Sequence, residues 1–210
     1  MLAEELNREL WAREFAEDEF VVCALLLVTV PGYTKTGRAG RNQLVESAIQ
    51  RGEILAAKFA GQVPSEIAVR HGFGVGWLLD RDWSRNGCRA QWDRAGKCIL
   101  LSEPGILDLA SKMGIWCAAE PDLKGAREVA IAHELFHALA AGAPRLRRSQ
   151  EEIAAHAFAR AWLGMPVTPL WFDWMTAWER DGRDLNEVKV WCIAMEDFES
   201  RRREPPNSGN

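Results

Sequence analysis

The feature that most limits this chain's fold is a glutamate between two histidines, His133-Glu134-Leu135-Phe136-His137, inside a run with almost no other charge. Residues four apart come together on one face in an α-helix, whereas in a strand they stand about 13 Å apart. Both imidazoles therefore reach one point only if this stretch is helical. Its flanks, Val129-Ala130-Ile131-Ala132 and Ala138-Leu139, carry no charge at all. Such a helix is stable only when buried against other elements. The fold must then wrap a helix while leaving His133, Glu134 and His137 facing a shared internal site. Two neutral imidazoles there can hold one ion, and Glu134 stands beside an ion-bound water as a general base. With one carboxylate added, a tetrahedral ion keeps a position open for water, which makes zinc, one per chain, the natural choice.

A third ligand is needed. The spacing HExxHxxGxxH would put a histidine at position 143, which is Ala143. That branch of metalloproteases is excluded. The next segment offers Glu151, Glu152 and His156. A carboxylate from a second, packed helix is the remaining solution, and spacing alone leaves Glu151 and Glu152 both open.

The order His133-Glu-Leu-Phe-His137, Glu152-Ile-Ala-Ala-His156-Ala-Phe158-Ala159, Trp162-Leu-Gly-Met165-Pro166 resembles the ImmA/IrrE family of metallopeptidases. The resemblance covers residues 125–166. The stretch 43–102 is compatible in layout and holds no diagnostic residue. The resemblance implies an α+β, mostly helical fold. That fold is a zincin-like metalloprotease domain with a small antiparallel sheet beside the HExxH helix. It implies His133, His137 and Glu152 as metal ligands, Glu134 as the catalytic base, and zinc as the cofactor. It also implies an intracellular protein or peptide substrate, a DNA-binding repressor among the candidates. Three departures stand out: Phe136 replaces a glycine, His156 replaces an asparagine or aspartate, and one extra residue precedes Met165-Pro166. At that position His156 would support the ligands by hydrogen bonding, and an imidazole there is also a competing ligand. These departures keep two rivals open: a zinc-binding module without turnover, and a zinc hydrolase of small amides.

The rest of the chain is consistent with such a domain. Lys and Arg number 26 against 30 Asp and Glu, a net charge of −4. That balance speaks against direct nucleic-acid binding. Five cysteines, Cys23, Cys88, Cys98, Cys117 and Cys192, form no CxxC pair. Buried free thiols in a reducing cytoplasm fit better than a disulfide framework. The longest apolar run, Phe20 to Val30, is too short to span a bilayer, and the acidic residues before it do not suit a secretory signal. It reads as a buried strand or a core helix.

Apolar periodicity predicts helices over 42–60, 64–70, 104–113, 123–141, 149–162, 168–180 and 184–201, with Ser149 and Glu152 spaced like a capping box. Short apolar runs at 73–79, 88–92 and 97–102 predict an antiparallel sheet in which Gly74 and Gly76 are turn or strand glycines. Residues 1–41 read as an N-terminal extension, 42–200 as the metallopeptidase-like domain and 201–210 as a frayed polar tail. No group for polarising a substrate carbonyl is identified. His71 reads as an exposed turn histidine, and Tyr33, the single tyrosine, carries no further signal. Trp162, Trp171, Trp174 and Trp178 read as core packing rather than a binding groove. Lys35, Arg38, Arg41, Arg145, Arg147 and Arg148 read as solvated surface.

Overall fold

A computed structural model describes residues 16–28, 37–78, 88–117, 119–140 and 148–181. In chain order its helices are α1 (Glu19–Val28), α2 (Arg38–Ala56, extended by a 3-10 turn Ala57–Phe59), α3 (Pro64–Arg70), α4 (Glu103–Cys117), α5 (Leu123–Ala140), α6 (Arg148–Leu163) and α7 (Pro169–Asp181). Three strands, β1 (Gly74–Trp77), β2 (Ala90–Asp93) and β3 (Cys98–Leu101), lie between α3 and α4. Tyr33 and the expected helix 184–201 fall outside the described residues, as do the 201–210 tail and Cys192. The architecture is α+β and mostly helical, as the periodicity predicted. No helix among the described residues is long and apolar enough to cross a membrane.

α5 is the central element. It packs against α3, α4, α6, β2 and β3. Asp122 starts it: its backbone carbonyl takes the Ala126 N–H and its side chain takes the Gly125 N–H at 2.9 Å. Because neighbours surround it, Ala126, Val129, Ile131, Leu135 and Phe136 are all buried although they point in different directions. Glu128 reaches α3 and accepts both the backbone N–H and the hydroxyl of Ser65, at 2.9 and 2.8 Å, at a helix start that Pro64 already favours.

The sheet corrects one expectation. Its order is β1-β3-β2, with β1 parallel and β2 antiparallel to β3, so it is mixed rather than antiparallel. Turn signals mark where strands end and leave their partners undetermined. A tight connection makes β2 and β3 a hairpin. The longer link between Trp77 and Ala90 lets β1 cross to the far side of β3, which a parallel pair requires. This order puts the most apolar strand in the middle, where Ile99 and Leu101 are almost fully buried. Gly74 and Gly76 are strand glycines; a Cβ on Gly74 would come within 3.2 Å of Cys98 Sγ.

Two other details differ. α2 begins at Arg38, four residues before the expected start at 42. α6 begins at Arg148, so Ser149 lies in its first turn rather than at a cap, and Glu152 turns to the histidines instead of the helix start. The run after Glu19 is a helix. Phe20, Val21, Val22, Cys23, Ala24, Leu25 and Leu27 are all buried, and α1 packs on α2, α6 and α7.

One buried charge belongs to α1. Glu19 Oε2 accepts from Arg160 Nη1 of α6 at 2.7 Å, Glu53 Oε1 lies 3.8 Å from the same nitrogen, and Glu19 Oε1 has no hydrogen-bond partner. Burial, only partly offset by Arg160, pushes the Glu19 carboxyl up to about 7 from an ordinary 4.5. The folded chain thus holds this proton more tightly than the unfolded one. That contribution is complete below pH 4.5 and is lost as pH rises through 7. Glu19→Gln keeps the protonated shape, so its stability relative to wild type should rise by about 3 kcal/mol between pH 4 and pH 8. Urea unfolding of both proteins across that range is the check, and parallel pH curves would refute the assignment.

Candidate metal centre

α5 brings His133 and His137 to one face, and α6 lays Glu152 across them. His133 Nε2 and His137 Nε2 stand 3.3 Å apart. Glu152 Oε2 is 3.4 Å from the first and 3.8 Å from the second. The three residues form the only group of metal-ligand type found among the described residues. Two imidazole lone pairs facing each other at 3.3 Å repel unless a proton or a cation lies between them. An ion bound tetrahedrally at about 2.0–2.1 Å needs its donors about 3.3–3.4 Å apart. Two of the three separations meet that spacing, and the third is slightly long. The residues present therefore fit a divalent ion of this size.

The carboxylate is electrostatically tied to this place. Burial alone would raise Glu152, yet its hydrogen bonds to His133 and His137 outweigh burial and hold it well below the usual carboxylate range. Burial likewise works against charge on His133, but Glu152 and then Glu134 win and raise it above the ordinary histidine value. Glu151, the competing carboxylate, stands elsewhere: its Oε1 is 3.7 Å from His137 Nδ1, behind the ring.

Glu134 is buried and bridges to the sheet. Its Oε2 accepts the Trp92 backbone N–H at 2.7 Å, and its Oε1 lies 4.0 Å from His133 Nε2. β2 is an edge strand, and Arg89, on the other register, gives its carbonyl to Ser102 N–H beside β3. Backbone groups alternate sides along a strand. The N–H and carbonyl of Trp92, and those of Ala90 two residues earlier, therefore face away from β3. Ala90, Gln91 and Trp92 line a cavity of about 470 Å³ together with the three donor residues. Leu109, Val129, Ala130 and Pro169 supply its apolar wall.

His156 is one turn beyond Glu152 on the same face of α6. It is not among the donor group. Its Nε2 lies 3.3 Å from Asp173 Oδ2 of α7, and its ring centre is 4.4 Å from that of His133. Burial, then the neighbouring His133, pushes this imidazole well below its ordinary value. Asp173 is held by Arg89, which also donates to Phe172 O at 2.9 Å, Thr176 Oγ1 at 3.0 Å and Asp108 at 3.2 Å.

Arg89, Asp173 and the Trp92 backbone were not found from the sequence. The available signal was a single acid between aromatics, Trp171-Phe172-Asp173-Trp174, where an apolar helix face tolerates a charge only if it is paired. His71 is exposed, packs between Phe59 and Phe73, and does not line the cavity. Trp162 and Trp171 are buried in the core and Trp174 packs against it. Arg148 is exposed at the cavity rim. No protein-family model, curated protein or solved structure matches this chain.

Proposed function

We propose that the chain is a zinc-dependent endopeptidase of the ImmA/IrrE type, with His133, His137 and Glu152 as ligands and Glu134 as general base. The observation that carries this reading is the placement of Glu134. One of its oxygens is anchored on the edge strand, while the other stands on the side of the histidine donors. Two imidazoles and one carboxylate suit zinc and leave room for a water. When bound, zinc supplies a Lewis acid that makes water a nucleophile near neutral pH.

The chain's own residues do the rest. Glu134 takes the proton of the attacking water and returns it to the leaving amine. The Trp92 N–H holds the Glu134 carboxylate in place, so it need not be ordered during reaction. With the Trp92 N–H given to Glu134 and the Ala90 carbonyl accepting from Cys88 Sγ at 2.6 Å, the Ala90 N–H and the Trp92 carbonyl are the outward groups of β2 that offer a substrate segment an extended partner beside the donors. A polypeptide fits that edge better than a small amide, which has no backbone to pair along it. The likeness of residues 125–166 directs the substrate search to repressor-type regulators.

Metal content is the test. Purified protein should carry about one zinc per chain by plasma mass spectrometry, and His133→Ala and Glu152→Ala should carry almost none. Wild-type protein that stays metal-free after zinc addition would overturn the reading.

A further inference from the structure

We propose that His156 and Asp173 are positioning residues for the metal ligand His133, acting as a relay in which Asp173 orients His156 and His156 accepts the outer N–H of His133. The inference rests on the metal-centre reading above and adds two residues to it.

The chemistry starts from His133. Its Nε2 is the nitrogen that faces His137 and Glu152. An imidazole that gives Nε2 to a metal keeps its proton on Nδ1, and that N–H must find an acceptor to fix the ring. In this structure His133 Nδ1 is buried and has no hydrogen-bond partner. His156 is its complement. With Nε2 set against the Asp173 carboxylate, His156 carries its proton there, which leaves a lone pair on Nδ1. His156 Nδ1 is also buried and without a partner. One orphaned donor and one orphaned acceptor thus sit on rings whose centres are 4.4 Å apart. Each is the complement that the other lacks.

The far end of the relay is anchored. Arg89 pairs with Asp173 and spreads its other donors over Phe172 O, Thr176 Oγ1 and Asp108. Thr176 in turn donates to Asp108 at 2.6 Å. Arg89 immediately precedes β2, the strand whose Trp92 N–H holds Glu134. One short segment therefore steadies both the general base and, through Asp173 and His156, a metal ligand. This also accounts for a histidine at 156: an imidazole spans the gap between His133 and a carboxylate that comes from α7 rather than from α6.

The test uses zinc affinity, read by competition with a chromophoric chelator on the full chain. His156→Leu should bind zinc 10–100-fold more weakly than wild type, and His156→Asn, whose amide oxygen can accept the same N–H, should stay within about threefold. Equal losses in both variants would reduce His156 to a packing role and overturn the relay, as would wild-type affinity in His156→Leu. If wild type itself binds no zinc, the metal-centre reading falls first. Zinc binding that His133→Ala abolishes and His156→Leu leaves intact refutes the relay alone. Long-range proton–nitrogen NMR of zinc-loaded wild type needs no variant. It should place the His133 proton on Nδ1 and the His156 proton on Nε2, and a His156 proton on Nδ1 overturns the relay.

Discussion

Glu134→Gln should keep its metal and lose its turnover. The amide oxygen of glutamine can still accept the Trp92 N–H that Glu134 accepts at 2.7 Å, so the β2 edge and the cavity stay in place. Glu134 is not one of the three donors, so zinc content should match wild type. What disappears is the proposed base, and general acid–base catalysis of this kind is worth roughly 10²–10⁴-fold in rate. Cleavage of a diverse peptide library, followed by mass spectrometry on wild type and variant at equal zinc loading, measures the loss. Equal rates would remove Glu134 from the mechanism. A parallel loss of zinc would mean that Glu134 acts on the ligands instead.

The second large effect is expected at Gly52. This residue of α2 lies where α2 crosses α6. A Cβ there would stand 2.3 Å from Ala154 O, 2.8 Å from Phe158 N and 2.9 Å from Ala157 Cβ. None of these atoms belongs to a flexible side-chain end, so the clash is relieved only by parting the helices. Alanine has the better helix propensity by about 1 kcal/mol, but overpacking costs 1–3 kcal/mol or more, and the steric term dominates at this contact. Gly52→Ala should lose about 2 kcal/mol, lowering Tm by roughly 4–8 °C. Because α6 carries Glu152 and His156, zinc affinity should fall with it. Gly37→Ala, with nothing within 4 Å of the added methyl, is the contrasting control and should change Tm little. A Gly52→Ala protein as stable as wild type would show that the helices do not meet this closely.

Both predictions rest on contacts of different legibility. The pairing of His133 with His137 was readable because one helical turn is a fixed distance, and the chain alone sets which residues lie four apart. The helices α2 to α7 were readable for the same reason, from apolar period, although the capping signal at Ser149 and Glu152 did not hold. The register that favours Glu152 over Glu151 came from the family-like spacing around Phe158 and Ala159. The structure places Glu152 on both donor nitrogens and Glu151 behind His137.

Other features had no local signature. The run Phe20 to Leu27 is β-branched and apolar enough for either a strand or a helix, and burial on all sides against α2, α6 and α7 decided it. The partner of β1 was set by which strand most needed covering, and Ile99 and Leu101 made that strand β3. Arg89 and Asp173 are 84 residues apart, and no periodicity relates them. The sequence by itself determined helices α2 to α7 and the spacing of the histidines, because those follow from rotations repeated at every residue. Only the tertiary structure decided which carboxylate stands behind His156, which strand edge faces the donors and where Glu19 is buried, because each joins distant segments through packing that no local pattern encodes.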